Sequence, residues 1–429
     1  MKNFVKEMIR YAKLPFKFVY WITGLFLFVL SVGYLYCKKN NQKKFNKYEK
    51  SVVCVSHVAI SFDGRIKKCA NQIKLLGLPV TLIKPYDAQE DKEFEFSGLD
   101  SNVQIKRVGL SGSFSHFPCM FDFLMVMYLV FCKSKFIHCH DVNTAFMGLL
   151  ASNLTGKVLI SDLHEWKSET SNVDAKKQNL FQIKILKLIE NLIVKKSNFV
   201  ITVNKVIADE LKKGARKERE IFIVKNCPTP PKLQSYNLKL NLNIPKEQVV
   251  GYYVGQMAPY RNIAQLIKAI KKIPNLSLVF QGTIDASYLN ILKNICETEN
   301  ISERVFFLPP IPHDFIPSAC QGADFGIFSC SVNSKSMRSA LPNKLFEYIA
   351  GGIPIFSEDI PLMRQYIEEC EIGSTFQSDN IDTICESLKL MLDHHALSCM
   401  KRNVLSLKEK LVYETNSENS SVYATIYGS

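Results

Sequence analysis

The chain has 429 residues, 47% hydrophobic and 22% charged, a globular mixture with room for two or three domains; disorder, collagen and coiled coil are excluded as descriptions of the whole. Its formal charge of +14 invites a nucleic-acid reading, yet residues 1–50 hold ten Lys and one Arg against Glu7 and Glu49. That segment therefore carries +9 of the +14, and the other 379 residues carry too little excess charge to expect a nucleic-acid partner.

Residues 18–37 form a run of 20 without a charge. As a helix rising about 1.5 Å per residue it reaches about 30 Å, the thickness of a bilayer's hydrocarbon core. Tyr20, Trp21, Tyr34 and Tyr36 lie near its ends, where aromatic rings favour the membrane interface. A cleaved signal peptide would have a shorter apolar core and a small-residue cleavage site, and Tyr34-Leu-Tyr-Cys-Lys-Lys offers neither. The run predicts a retained single-pass N-terminal anchor. Lys13 and Lys17 precede it and the denser cluster Lys38, Lys39, Lys43, Lys44 and Lys47 follows, which places the body in the cytoplasm. Thirteen scattered cysteines without a C-x-x-C pair read as reduced thiols, not as a disulfide scaffold or a zinc site.

After this basic linker, short apolar runs alternate with helical patterns. Strands are predicted at 51–59, 80–85, 103–108, 136–141, 158–164, 199–204 and 221–226. Residues 117–131 are apolar apart from Asp122 and too short to span a bilayer; a buried helix behind the next strand is expected there. Asn226-Cys-Pro-Thr-Pro-Pro-Lys and the polar stretch 234–246 read as a linker, and strands resume at 249–255, 276–282, 305–310, 325–330 and 354–358. Most runs are apolar throughout, as in parallel strands covered on both faces. The pattern predicts an α/β protein of two doubly wound, Rossmann-like domains facing a cleft, behind the anchor helix. The divisions are 1–50 for anchor and linker, 51–235 and 236–405 for the domains, and 406–429 for a tail that either crosses back to the first domain or frays. Ligands in such sheets sit beyond the carboxyl ends of the strands.

The richest stretch is 339–356, Ser-Ala-Leu-Pro-Asn-Lys-Leu-Phe-Glu-Tyr-Ile-Ala-Gly-Gly-Ile-Pro-Ile-Phe. Pro342 suits a first helical turn, Leu345, Phe346 and Ile349 form an apolar face, and Gly351-Gly352 stops the helix. Unpaired N–H groups at its start, with Lys344, would suit a diphosphate, and Glu347 could accept from a pair of sugar hydroxyls. An ordinary surface helix accounts for the same residues equally well.

The block Leu341-Pro-Asn-Lys-Leu-Phe-Glu-Tyr-Ile-Ala-Gly-Gly-Ile-Pro resembles the donor-site signature of family 4 retaining glycosyltransferases, which have the GT-B fold. The resemblance covers about residues 51–392. It includes Asp63-Gly-Arg-Ile, His138-Cys-His-Asp, Ser161-Asp-Leu-His-Glu-Trp, Thr202-Val-Asn, Val224-Lys-Asn-Cys-Pro, Tyr253-Val-Gly-Gln and Arg261-Asn. It implies that Glu347 is the second glutamate of the family's pair, binding the nucleotide ribose. The first would fall at 339, where this chain has Ser339, which puts donor-sugar contacts and activity in question. Gln256 stands where an arginine often follows Gly255, so diphosphate binding is assigned to Arg261 and Lys344. Asn343, Gly255 and Gly282 complete the implied donor side. His140 matches a histidine placed beside the transferred sugar, and Gly64 a small residue close to diphosphate and acceptor. Arg65 either meets an anionic acceptor or points into solvent; Asp141, Asp162, His164 and Glu165 either line the acceptor pocket or make ordinary hydrogen bonds.

The implied reaction moves a sugar from a nucleotide-diphosphate sugar to a glycan or lipid-linked acceptor at the membrane, with retention. No D-x-D pair occurs, so no metal or other cofactor is expected. Three alternatives remain: a catalytically silent GT-B protein that binds sugar nucleotide or a partner, a metal-dependent hydrolase built on His138, His140, Asp141, Asp162, His164 and Glu165, and a nucleotide-sugar epimerase.

Overall fold

The computed structural model describes residues 48–56, 64–85, 99–108, 118–170, 180–215, 220–228, 237–332 and 335–428. The expected anchor at 18–37 lies outside them. Among the described residues no helix is long and apolar enough to cross a membrane.

The first sheet comprises β1 (Glu49–Val55), β2 (Val80–Pro85), β3 (Gln104–Val108), β4 (Ser134–His140), β5 (Val158–Leu163), β6 (Phe199–Thr202) and β7 (Phe222–Ile223). Its order is β3-β2-β1-β4-β5-β6-β7. The second sheet comprises β8 (Val249–Val254), β9 (Leu276–Gln281), β10 (Val305–Leu308), β11 (Phe325–Phe328), β12 (Ile355–Glu358) and β13 (Gly373–Phe376), in the order β10-β9-β8-β11-β12-β13. All strand pairs are parallel. Covered faces explain the continuous apolar runs: every residue of β9 is buried. The order reverses between β1 and β4 and again between β8 and β11, which puts a ligand crevice at the carboxyl ends of those strands.

Helix α1 (Gly64–Leu75) follows β1 and buries Ile66, Cys69, Ala70 and Ile73 at 3–4-residue spacing. The apolar segment is helix α2 (Pro118–Phe131), with Met125 and Leu129 in the core beside residues of α3 (Asp141–Thr155). The described cysteines are all free thiols.

One further helix, His394–Gly428, joins the two domains along the back. It buries Val404 and Val412 in the second domain's core, then Tyr423, Ile426 and Tyr427 in the first domain's. The Asn419 side chain accepts from the Lys225 N–H (3.1 Å) and donates to the Lys225 carbonyl (2.8 Å), as another strand would. The Tyr427 hydroxyl lies 2.6 Å from His138 Nδ1, and its ring meets Phe136 edge-on.

Tyr427→Ala should therefore lower the stability of the first domain by about 3–5 kcal/mol. Tyr427→Phe, which removes only the hydroxyl, should lower it by about 1 kcal/mol. Urea unfolding followed by tryptophan fluorescence checks both, since Trp166 is buried in that domain. An unchanged midpoint for Tyr427→Ala would show that the helix contributes nothing to the first-domain core.

Candidate functional site at the domain cleft

The switch points of the two sheets enclose a cavity of about 560 Å³. From the second domain it is lined by the first turn of the helix Asn343–Gly351. Pro342 is the N-cap, in extended conformation, and the helix ends at Gly352 in the left-handed region (φ 75°). Pro342, Asn343 and Lys344 line the cavity, and the N–H groups of Asn343 and Lys344, which have no acceptor within the helix, belong to this turn.

Glu347 does not reach this wall. It is completely buried; Oε2 accepts from Lys344 Nζ at 2.7 Å, and Oε1 faces His313 Nε2 at 2.9 Å outside hydrogen-bond geometry. Burial alone would raise the carboxyl, but the charge of Lys344 and then the His313 ring hold it well below the usual carboxylate range. The expected sugar-hydroxyl acceptor is thus engaged within its own domain, because positions i and i+3 face one another on a helix.

Arg261 differs. It ends the short 3₁₀ turn Pro259–Arg261, followed by Asn262 in the left-handed region (φ 51°). Its guanidinium lies over the rings of Tyr260 (5.1 Å) and Phe328 (5.8 Å) and lines the cavity. Nε is buried without a hydrogen-bond partner, and Arg261 forms no ion pair among the described residues. Gly255 (φ 137°) is on the wall beside Lys344. Gly282 (φ 147°) is not; a Cβ there would fall 1.9 Å from the Gly255 carbonyl oxygen, so its role is close packing of the β8 and β9 ends.

In the first domain Gly64 opens α1 on the wall, and a Cβ there would meet the His313 ring at 2.5 Å. Arg65 lines the cavity but points neither into solvent nor freely at an acceptor. Its Nε and Nη2 bond Asp162 Oδ2 and Oδ1 at 3.0 and 2.6 Å, and Nη1 donates to the Val224 carbonyl. Asp162 is fully buried. Burial would raise it, but Arg65, followed by the neighbouring histidines, holds it well below the carboxylate range.

Several expected site residues stand back from the cavity. His140 is 2% exposed and lies behind His164, which supplies the first domain's imidazole on the wall. Asp141, in a left-handed conformation (φ 68°), accepts from the His164 N–H at 3.4 Å. Glu165 is on the wall, with Lys167 Nζ 3.8 Å away. Ser339 is off it, its carbonyl accepting from Asn204 Nδ2. His138, His140 and Asp162 stand close enough to share a metal ion, but all three are sealed from the cavity and Asp162 is paired with Arg65; a hydrolytic metal centre open to substrate does not fit. Sequence reasoning passed over His313, whose position in Pro312-His-Asp, just beyond β10, was the available signal.

His140 Nδ1 and His164 Nε2 face each other at 3.1 Å, and each lies 3.5 Å from Asp162 Oδ2. Burial opposes the charge on each ring, but Asp162 for His140, and Asp141 then Asp162 for His164, raise the rings to about 9. A pKa raised on folding stabilises fully below the ordinary imidazole value of about 6.5, and that contribution is lost as pH rises through about 9. The urea midpoint should fall between pH 6.5 and 9.5, and fall less in His164→Gln; equal slopes in the two proteins would show that His164 contributes nothing to this pH dependence.

Residues 237–404 match the family described as glycosyl transferases group 1. No curated protein matches the sequence. Sucrose-phosphate synthase from Thermosynechococcus elongatus superposes with a TM-score of 0.74 at 14% identity, over 89% of this chain and 100% of that one. Anabaena HepE, in complex with UDP and glucose, gives 0.68 at 12% identity over 88% and 100%. WaaG, a glycosyltransferase involved in lipopolysaccharide biosynthesis, gives 0.63 at 13% identity over 88% and 100%. The second domain of this chain is thus similar to a glycosyl transferases group 1 domain, and the two domains together have the GT-B fold.

Proposed function

We propose that the chain is a retaining glycosyltransferase that moves a sugar from a nucleotide-diphosphate sugar to a glycan or lipid-linked acceptor. The observation that carries this reading is Arg261: a cation on the cavity wall, without a carboxylate among the described residues, beside the open first turn of a helix. Such a group asks for an anion, and the planar fork of an arginine suits two phosphate oxygens. UDP and UDP-glucose complexes of HepE, on the same fold, support a nucleotide sugar as that anion.

The chemistry follows from charge. As the bond to the sugar breaks, negative charge gathers on the leaving diphosphate. Arg261, Lys344 and the N–H groups at 343–344 are fixed before reaction, so they stabilise that charge without reorganising. Among the described residues the wall holds one carboxylate, Glu165, and the cations Arg261 and Lys344 would do for the diphosphate what a metal does in other transferases. Glu165 is the one carboxylate among the described residues of the wall, and direct attack by the acceptor hydroxyl on the face the diphosphate leaves is the route the family resemblance implies.

The N-terminal apolar run supports a membrane-held acceptor and a body on the cytoplasmic side. The silent alternative keeps one support, Ser339 and Gln256 in place of the acid and base that the family resemblance implies.

Thermal shifts with UDP, GDP, ADP and CMP identify the nucleotide, and hydrolysis of the matching sugar nucleotides measures turnover. Arg261→Ala should cut turnover by about 100-fold, Arg261→Lys by less, and EDTA should leave turnover unchanged. Nucleotide binding with no turnover of any donor would favour the silent reading; no nucleotide binding would end both.

A further inference from the structure

One wall of the cavity has a different character from the cationic end. Val203 and Ile207 reach it from the first domain, Met337, Ala340 and Leu341 from the second. Ile207 is part of the first domain's core and Val203 packs on that core; Met337 and Leu341 pack on the core of the second. Two hydrophobic cores thus come to the surface face to face at the domain seam.

Several polar backbone groups of this wall already have partners. The Ser339 N–H donates to the Lys335 carbonyl (3.0 Å) and the Ala340 N–H to the Met337 carbonyl (3.1 Å). Asn204 bridges the seam: Nδ2 donates to the Ser339 carbonyl (2.9 Å), while Oδ1 accepts from the Ile207 N–H (2.9 Å). Among the described residues from 335 to 341, Ser336 supplies the one side-chain hydroxyl that lines the cavity. What remains on offer is apolar contact, held in place by the Asn204 bridge.

The position of the wall says which half of a donor would meet it. A diphosphate at Arg261 and Lys344 has the nucleoside on one side and the sugar on the other. The sugar that is transferred must lie at the seam, where an acceptor held by the first domain can reach it. A hydroxyl turned onto these five side chains would lie unpaired, at about 1–3 kcal/mol.

We infer that the transferred sugar carries a methyl-terminated substituent, as a 6-deoxyhexose or an acetamido sugar does, and that this methyl lies against Val203, Ile207, Met337, Ala340 and Leu341. The inference rests on the nucleotide-sugar reading above and names its substrate class. A hydrophobic pocket discriminates by about 10- to 100-fold for a change of this size.

The test uses the full chain and donor pairs that share a nucleotide and, for the deoxy sugars, the ring configuration: UDP-N-acetylglucosamine with UDP-glucose, dTDP-6-deoxy-D-glucose with dTDP-glucose, and GDP-D-rhamnose with GDP-mannose. Dissociation constants are measured by calorimetry and read as a ratio within each pair. For the nucleotide that binds, the methyl-bearing donor should bind at least about tenfold more tightly. Which pair shows it separates the deoxy from the acetamido source. Leu341→Asn should bring the ratio toward parity and Leu341→Met should keep it, with circular dichroism confirming that both fold. A parent hexose that binds as well as its methyl-bearing partner overturns this inference while leaving the proposed reaction standing. Failure of every nucleoside diphosphate to bind overturns both.

Discussion

The Arg65–Asp162 pair sets the electrostatics of the cleft. A charge buried without its partner costs several kcal/mol, so neither side chain could occupy its place alone. Together they neutralise each other between α1 and β5, while Arg65 also ties α1 to the chain after β7 through the Val224 carbonyl. The opening of α1 is thereby fixed, and Gly64 presents backbone, not side chain, to the cavity. Other charges on the first-domain side have partners as well, His164 with the two aspartates and Glu165 with Lys167. The unbalanced positive charge of the cavity therefore comes from the second domain, at Arg261.

The same pair connects the cleft to the back of the molecule. Asp162 lies beside His138, and His138 meets Tyr427 of the final helix, whose earlier residues belong to the second domain's core. On the cavity side, Gly64 lies against His313, His313 against Glu347, and Glu347 holds Lys344 at the head of the donor-side helix. Contacts in both directions run through a few polar groups with defined partners. A side chain at 64 would push on the His313 ring and so on the Glu347 carboxylate, which links a glycine in one domain to a lysine in the other.

Much of the fold was legible because a parallel sheet covered on both faces needs continuous apolar strands, and the chain supplies them at nearly even intervals. β13 escaped notice because Gly373-Ser-Thr-Phe is an edge strand with little apolar content. The donor-side helix was legible from Pro342 to Gly352, since its start, face and stop are all local signals. The site's pairings were not local. Arg65 and Asp162 are 97 residues apart and His138 and Tyr427 are 289 apart. Nothing in either neighbourhood of the sequence reveals that they meet. Position at a strand end or near a helix start could nominate His140, Arg65 and Glu347 as site residues, but it could not show that partner side chains would turn them away from the cavity or occupy them.

The contrast between Arg261 and Lys344 bears on how the proposed reaction would be driven. Lys344 is compensated by Glu347 before any ligand arrives, whereas Arg261 has, among the described residues, the faces of Tyr260 and Phe328, which offset its desolvation in part. A diphosphate therefore completes the coordination of Arg261 and competes for that of Lys344. Two uncompensated cations would hold the released nucleoside diphosphate tightly and slow its departure; two compensated ones would give little to the developing charge. One of each allows moderate binding of the donor and an interaction that strengthens as charge builds on the leaving oxygen, and only that increase lowers the barrier.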